Sequence, residues 1–307
     1  MKDKCDREIK HIRLSVTAEC TYNCIYCDSE GFSPKKKLLT VNEITKLCRM
    51  LAEILNVTRI KLTGGEPLYR DEIIQIIQNI NDLGLYDDIS LTSNGYKLGK
   101  MAQELAEAGL DRINVSLCSL KPEIYKEITG VDGLNQVLEG LKAAKQADLT
   151  PIKINYVIMQ GINNNEFEDM IDFCGKHDYI LQLIELHKES EDLEKNNGKF
   201  YDKYHKDVGP IINDLESRSM GTLIRGNMQN RKVFVMQNGA IIETVVPSHK
   251  FCMGCTKLRV GCDGNIFGCL FRSDLGKNVK EELHNHCQLS KFRNIIQEVV
   301  DSREPYY

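Results

Sequence analysis

The 307-residue sequence has no long apolar run, and nothing in it approaches the roughly 20 consecutive apolar residues of a membrane-spanning helix. No membrane partner is therefore expected. A cationic excess is missing as well. Forty Lys and Arg stand against 44 Asp and Glu, a formal charge of −4, so no nucleic-acid partner and no general attraction to an acidic surface is expected. Residues 1–10 are charged rather than apolar, which gives the expectation of no signal peptide and a cytoplasmic home. Low-complexity tracts and internal repeats are absent too. The longest charge runs, such as Lys35-Lys36-Lys37, read as a solvated loop.

Cysteine is not scarce. Twelve cysteines in a chain expected to stay in a reducing compartment read as metal ligands or buried thiols rather than disulfides. Three of them, Cys20, Cys24 and Cys27, form a C-x3-C-x2-C run directly after the strand-like stretch Ile12–Thr17. Three thiolates can hold three irons of a [4Fe–4S] cluster, because soft sulfur suits such clusters. No fourth cysteine follows at suitable spacing, so one iron is left for a ligand from outside the protein. A zinc knuckle or a disulfide fragment is the alternative. Zinc sites recruit four Cys or His ligands, and the nearest extra candidates, His11 and Asp28, give no finger spacing.

Residues 10–186 alternate strand-like and helix-like segments. Ile12–Thr17 is followed by a helix opening at the capping box Thr40-Val-Asn-Glu43. Then come Arg59–Thr63 with a helix over Asp71–Leu83, Asp88–Thr92 with Lys100–Ala108, and Arg112–Leu117 with Leu134–Ala147. Ile152–Ile158 leads to a helix over Glu166–His177, where Phe167, Met170, Ile171 and Cys174 share a face, and Ile180–Leu186 closes the series. Six βα-type units in order imply a parallel sheet with right-handed crossovers. Because the pattern stops at the sixth strand, the expected fold is α/β, an open partial (β/α)6 barrel over residues 1–187. Its functional groups are expected at the C-terminal strand ends. Residues 188–307 read as a connector and a smaller α+β region. The connector is charged, with Glu189, Glu191, Asp192, Glu194 and Lys195, and helical over Tyr201–Leu215. Short antiparallel strands follow at Leu223–Arg225, Lys232–Met236 and Ala240–Val246, with a turn at Gln237-Asn-Gly239, then a helical stretch over Lys280–Ser302.

Two further stretches carry chemistry. Thr63-Gly-Gly-Glu-Pro67 follows the second strand; its glycines let backbone approach a ligand closely, although a tight turn before a helix reads the same way. Near the other end, Cys252, Cys255 and Cys269 give C-x2-C-x13-C. Those three suit a second open [4Fe–4S] cluster, with a zinc site that adds Cys262 as the alternative.

The C-x3-C-x2-C run paired with Gly64-Gly-Glu-Pro67 resembles the radical S-adenosylmethionine (SAM) superfamily. The resemblance narrows in Arg59-Ile-Lys-Leu-Thr-Gly-Gly-Glu-Pro-Leu68, Arg112-Ile-Asn-Val-Ser-Leu117, Lys153-Ile-Asn-Tyr-Val157 and Leu183-Ile-Glu185. It continues through Phe200-Tyr-Asp-Lys-Tyr-His205, Cys255-Thr-Lys-Leu-Arg259 and Arg303-Glu-Pro-Tyr-Tyr307. Almost end to end, the chain resembles the GTP 3′,8-cyclase family of molybdenum cofactor biosynthesis, and its middle and tail resemble the archaeal branch. The resemblance implies that Cys20, Cys24 and Cys27 hold the cluster that cleaves SAM, and that Cys252, Cys255 and Cys269 hold a second [4Fe–4S] cluster that binds guanine. It further implies Tyr26, Gly64, Gly65, Glu66, Thr92, Ser116 and Lys153 on the SAM side. Arg13, Arg59, Lys61, Thr63, Lys257 and Arg259 fall on the substrate side. Implied partners are GTP, a reductant such as flavodoxin or ferredoxin, a downstream pterin synthase and a second copy of the chain as homodimer.

The chain departs from that pattern at four places. Lys257 replaces an Arg, Gln182 stands where bacterial members have Arg, Cys118 replaces an Asp, and Gly261-Cys262 replaces a Thr-Ala or Thr-Ser pair. A Lys gives a point charge where Arg gives a bidentate fork. The alternative enzyme is a radical SAM paralogue acting on a peptide or another nucleotide. A non-catalytic iron–sulfur carrier is the remaining reading, and a carrier has no use for the Gly64–Pro67 turn.

Overall fold

The computed structural model describes residues 1–27, 38–187, 199–284 and 288–306. The Lys35-Lys36-Lys37 run, Asp28 and the charged stretch from Glu189 to Lys195 lie outside the described residues.

Alternation makes the strands. β1 (His11–Ser15), β2 (Arg59–Thr63), β3 (Asp88–Ser93), β4 (Arg112–Ser116), β5 (Lys153–Ile158) and β6 (Ile180–Glu185) carry apolar side chains at every second position. Ile12, Leu14, Ile60, Leu62, Leu91, Val115, Ile154 and Leu183 among them are fully buried in the core. Successive strand side chains point to opposite faces. The residues between, including Arg13, Lys61, Ser90, Asn114, Asn155 and Gln182, therefore line the barrel interior. The interior face is polar and the outer face apolar, a division set by period 2 alone.

The helices cover the apolar face. α1 (Val41–Leu55) starts at the expected capping box: Thr40 Oγ1 accepts from the Glu43 amide, and a Glu43 carboxylate oxygen accepts from the Thr40 amide at 2.6 Å. α2 (Ile73–Asn81), α3 (Leu98–Glu107), α4 (Pro122–Thr129), α5 (Leu134–Gln146) and α6 (Phe167–His177) follow. α6 buries Phe167, Met170, Ile171 and Cys174, the face its periodicity predicts; each such side chain contributes about 1.5–3 kcal/mol when fully buried. α4 is not among the sequence expectations, although Pro122 in its first turn and the left-handed Gly130 (φ +77°) after its end are ordinary start and stop signals.

β1 to β6 lie side by side in chain order, all parallel. The sheet does not end there. β7 (Gly221–Arg225), β8 (Arg231–Val235) and β9 (Ile241–Val245) form the expected antiparallel meander, and β9 then lies parallel to β6 with Ile241 opposite Ile180. On the other flank β10 (Lys257–Val260) lies parallel to β1, with Lys257 opposite His11. It carries β11 (Asn265–Phe267) and β12 (Lys277–Asn278) as an antiparallel extension. Eight neighbouring strands, β10, β1 to β6 and β9, are thus parallel, and β9 and β10 are not paired with each other among the described residues. The barrel is partial and open, as expected, and two strands wider than the six legible βα units. β9 arrives from a hairpin and β10 holds four residues of which two are cations, so neither shows the βα rhythm. The sheet runs uninterrupted across the expected 187/188 boundary.

Two helical expectations are corrected in detail. The Tyr201–Leu215 stretch is two helices, Lys199–Tyr204 and Gly209–Arg218. They are separated where His205 Nε2 meets Glu185 Oε1 at 2.9 Å and Val208 is buried. The Lys280–Ser302 stretch is described as Lys280–His284 and Leu289–Asp301, the second burying Phe292, Ile296, Val299 and Val300. No helix of the described residues is long and apolar enough to cross a membrane.

Candidate functional site

Two cysteine triads occupy opposite ends of the barrel. Cys20, Cys24 and Cys27 follow the C-terminal end of β1. Cys255 lies two residues before β10, which runs parallel to β1, so it sits at the N-terminal end. β11 runs antiparallel to β10 and delivers Cys269 to that same end. This corrects the expectation that every motif falls at a C-terminal strand end. At about 3.3 Å per residue, five-residue strands set the two ends on the order of 15 Å apart.

The first cysteine loop is held from both sides. Gly65 N–H donates to Thr17 O at 2.8 Å, and Glu66 N–H to Glu19 O at 2.7 Å. From across the site, Asn23 and Ile25 amides donate to Thr129 and Ile128 carbonyls at the end of α4, at 3.1 and 3.0 Å. A Cβ on Gly64 (φ +151°) would come within 2.3 Å of Thr17 O, and one on Gly65 within 2.2 Å of Glu19 O. The two glycines exist because the cysteine loop lies directly on them. Glu66 is buried and its carboxylate accepts from the amides of Leu68 (3.0 Å) and Asn94 (2.6 Å) and from the Ser93 hydroxyl (2.8 Å). It pins the glycine turn to the end of β3, and burial pushes its pKa up against those hydrogen bonds.

Burial pushes the Cys24 thiol up to about 12, with Cys27 and Cys20 adding to it, and burial raises Cys20 as well. Three thiols this close oppose one another's ionisation, and a positive iron centre among them removes that opposition. Tyr26 is partly buried against the core, and burial, with Cys24 and Cys118 adding to it, pushes its phenol pKa up. Thr92, on β3, lines the barrel cavity, and its Oγ1 is buried without a partner. Ser116 ends β4, opposite Asn155. Lys153 does not belong with these residues. It opens β5 at the N-terminal end of the barrel and is ion-paired with Glu243 on β9, because its strand starts where the others' cysteine-bearing ends are not.

Inside the barrel lies a cavity of about 510 Å³ lined by alternate strand residues, most of them in the N-terminal halves of the strands. Arg259 of β10 stands opposite Arg13 of β1, and Arg13 opposite Lys61 of β2, so three cations form a row across three strands. Arg13 Nη2 donates to the hydroxyl of Thr63, a buried residue at the end of β2, at 3.3 Å. Lys61 Nζ donates to Asn114 Oδ1 at 2.7 Å, and Asn114 Nδ2 donates to Gln182 Oε1 at 3.3 Å. Gln182 is thus the acceptor in a neutral amide chain. Arg59 opens β2 and is exposed at the cavity mouth. Sequence reasoning missed Arg112, Arg225, Arg231 and Glu243. Arg112 makes a bidentate pair with Asp88 at 2.9 and 2.7 Å. Glu243 accepts from Arg225 at 3.2 Å and Arg231 at 3.1 Å as well as from Lys153. A lone carboxylate in the apolar run Ile241–Val245 was the available signal.

Burial drives the Lys61 pKa well below its ordinary value, and Arg112, Arg13, Lys153 and Lys257 push the same way. Lys257 is lowered likewise, by burial and then by Arg231 and Arg259. Burial lowers His11 to about 4, with Lys257 and Arg59 contributing. The cavity concentrates positive charge in a place that water does not screen, which suits a polyanion.

Lys257 and Arg231 also line a 170 Å³ pocket that contains Cys252, Cys255, Cys269 and Arg259. Arg7 Nη1 donates to Cys252 O at 2.9 Å, Arg303 Nη2 donates to Cys255 O at 2.6 Å, and the buried Asp3 carboxylate lies between the two guanidiniums at 2.8 and 3.1 Å. Burial would raise the Cys255 thiol, but Arg303, Lys257 and Arg259 bring it below its ordinary value. Among the described residues, no three Cys, His, Asp or Glu side chains converge on a single ion position. Cys262 is buried elsewhere, its thiol against Ser15. The zinc alternative therefore lacks Cys262 as its fourth ligand, whereas three cysteines lining one pocket match the donor set of an open cluster.

The model of the Radical SAM superfamily matches residues 14–174, and that of Molybdenum Cofactor Synthesis C matches residues 179–307. A "Probable GTP 3′,8-cyclase" of Methanothermobacter thermautotrophicus is 39% identical over 309 residues, covering 100% of this chain and 99% of that one. One of Thermococcus kodakarensis is 40% identical over 311 residues, covering 99% of each. Among solved structures, Streptococcus suis SuiB bound to S-adenosylmethionine superposes with a TM-score of 0.66 at 16% identity, over 94% of this chain and 66% of that longer one. Native anSMEcpe with bound AdoMet gives 0.53 at 16% identity, over 90% and 80%. These two share the fold. The chain is an enzyme, and its cofactors are SAM and [4Fe–4S] clusters. Matched from end to end by relatives of one kind, the chain belongs to the GTP 3′,8-cyclase family of the radical SAM superfamily.

Proposed function

We propose that this chain is a GTP 3′,8-cyclase that forms (8S)-3′,8-cyclo-7,8-dihydroguanosine 5′-triphosphate for molybdenum cofactor biosynthesis. One observation carries the reading: a cation-lined cavity of about 510 Å³ inside the barrel shares Lys257 and Arg231 with the pocket that holds the second cysteine triad. Cys20, Cys24 and Cys27 are assigned to the cluster that binds SAM, with Gly64 to Glu66 and Thr92 shaping the SAM pocket. Cys252, Cys255 and Cys269 are assigned to the second cluster. Bound together, the first cluster and SAM supply a 5′-deoxyadenosyl radical.

The chain's own residues do the rest. Arg13, Lys61, Lys257 and Arg259 hold the triphosphate, whose charge of about −4 an apolar cavity cannot take unpaired. Arg59 at the mouth attracts it. Arg7 and Arg303 fix the carbonyls of the second triad and so orient the guanine end. Held this way, the ribose C3′ loses a hydrogen atom, C3′ bonds to C8, and one electron and one proton reach N7 to complete the dihydro product. That electron calls for a reductant of the flavodoxin or ferredoxin kind, and the product for a downstream pterin synthase. A cytoplasmic location and a homodimer belong to the same reading.

Anaerobic incubation with SAM, a reductant and GTP, followed by mass spectrometry of the nucleotides, tests it. The cyclised nucleotide and 5′-deoxyadenosine are expected in equal amounts. 5′-Deoxyadenosine alone, with GTP untouched, would reject GTP as substrate and leave the SAM assignment standing.

A further inference from the structure

Cations around the cavity are held in two different ways. Asp88 takes Arg112, and Glu243 takes Lys153, Arg225 and Arg231. Lys61 and Lys257 are held by amide oxygens instead. Asn114 Oδ1 accepts from Lys61 at 2.7 Å, and Gln229 Oε1 accepts from Lys257 at 2.8 Å and from Arg231 Nη2 at 2.9 Å. Among the described residues no carboxylate pairs with either lysine. The amide orientation follows from chemistry, because Lys and Arg have only donors to offer and the oxygen must face them.

Gln229 is placed with care. It is buried and left-handed at φ +64°, followed by a second left-handed residue, Asn230, at φ +54°. Non-glycine residues adopt that backbone rarely, and two in succession need outside support. The support comes from the segment leading to Cys255. Gln229 N–H donates to Gly254 O at 3.0 Å, and Asn230 Nδ2 donates to Lys250 O at 2.7 Å. Gly254 has no room for a Cβ, which would come within 2.6 Å of Asn230 Nδ2. A part-buried Lys beside a buried Arg ordinarily calls for Asp or Glu, and one methylene-matched change, Gln to Glu, would provide it.

We infer that Gln229 and Asn114 are positioning residues that fix Lys257 and Lys61 through neutral oxygens, so that the cavity keeps its positive charge for the polyphosphate and discriminates nucleotides by phosphate number. This deepens the GTP reading and rests on it. A carboxylate at either place pairs the lysine in advance, so the ligand loses; at Gln229 the empty protein also gains, because self-repulsion falls.

The test uses the anaerobically reconstituted protein and the isosteric variants Gln229→Glu and Asn114→Asp, with Gln229→Leu for comparison. GTP, GDP and GMP are titrated by calorimetry, and thermal midpoints are measured without nucleotide. Gln229→Glu is expected to melt higher than wild type, whereas Asn114→Asp also loses the Nδ2 donations to Asn155 and Gln182 and is read on nucleotide binding alone. Both acidic variants are expected to bind GTP about tenfold more weakly or worse, the range of a hydrogen bond to a charged group, with a smaller loss for GDP and the least for GMP. Gln229→Leu is expected to melt lower. A side chain that merely fills space would make the Glu and Leu variants melt alike, and that result overturns the inference. So does an equal loss for all three nucleotides. Wild-type protein that binds SAM and not GTP overturns the substrate reading instead, and the opposite melting shifts of Glu and Leu then report on the cation pair alone.

Discussion

Gly65→Ala is the smallest change that reaches the first cysteine triad. The added methyl would stand 2.2 Å from Glu19 O, 2.5 Å from Glu19 C and 2.8 Å from Ala18 O, all backbone atoms with no flexible end to swing away. Ordinary contact begins near 3.4 Å, so the loop must retreat by about 1.2 Å. Overpacking of this kind costs about 1–3 kcal/mol, and retreat also stretches the Gly65 N–H to Thr17 O and Glu66 N–H to Glu19 O hydrogen bonds. The displacement begins one residue from Cys20, whereas the second triad lies at the opposite barrel end. Anaerobic reconstitution, iron analysis and SAM titration should show a folded protein that keeps about half its iron, if each triad holds one four-iron cluster, and binds SAM at least about tenfold more weakly, the factor that 1.4 kcal/mol represents. Gly221→Ala is the control, since a Cβ there meets nothing within 4 Å. Full iron content and unchanged SAM affinity in Gly65→Ala would refute the claim that the glycines serve the cysteine loop.

Replacing Cys252, Cys255 and Cys269 together by Ala should likewise remove about half the iron, but spare SAM cleavage, while Cys262→Ser should keep full iron; loss of metal in the Cys262 variant would return the zinc reading. Arg259→Ala should weaken GTP binding about 10- to 150-fold, the range for hydrogen bonds to charged groups, and leave SAM titrations unchanged; equal GTP affinities would remove Arg259 from the substrate site. Because Lys61 and Lys257 have folded pKa values well below the ordinary lysine range, the empty site sheds protons before pH reaches that range, while a bound triphosphate retains them. GTP affinity should therefore fall with rising pH below the usual lysine range, with proton uptake on binding visible as a dependence of calorimetric heat on buffer. The reverse slope would contradict the buried-cation picture. His11 is lowered to about 4, so the unfolded chain takes up its proton first as pH falls from the ordinary histidine value. The stability this contributes is present at neutral pH and is lost on acidification through that window, which His11→Gln should flatten in thermal melts.

What could be read from the sequence was what repeats. The alternation in Arg59–Thr63 or Ile180–Leu186 and the 3.6 period of Phe167–Cys174 arise from local geometry, and the strands and helices came out within a few residues. The thiols were legible for another reason, because spacing alone restricts what three nearby sulfurs can hold. Illegible were contacts made between distant segments. Nothing local tells Lys257–Val260 to lie against β1, or Lys153 to face Glu243 ninety residues on. Gln229 carries no motif at all; its meaning lies in the two cations that the fold brings to one oxygen. The resemblance placed Lys153 with SAM, and only the direction of β5 shows it at the far end.

Asp3, Arg7 and Arg303 make a buried knot beneath the second triad, and β1 takes its outer neighbour from β10. On the ribosome, residues that emerge first must therefore wait for some of the last. Until β10 is made, one edge of β1 offers bare N–H and C=O groups, and Asp3 has one guanidinium where the finished protein gives it two. The half of the molecule that carries the first triad can assemble early from neighbours in the chain. The Arg303 bond to the Cys255 carbonyl forms only when residue 303 arrives, so the barrel end with the second triad is the last to be closed.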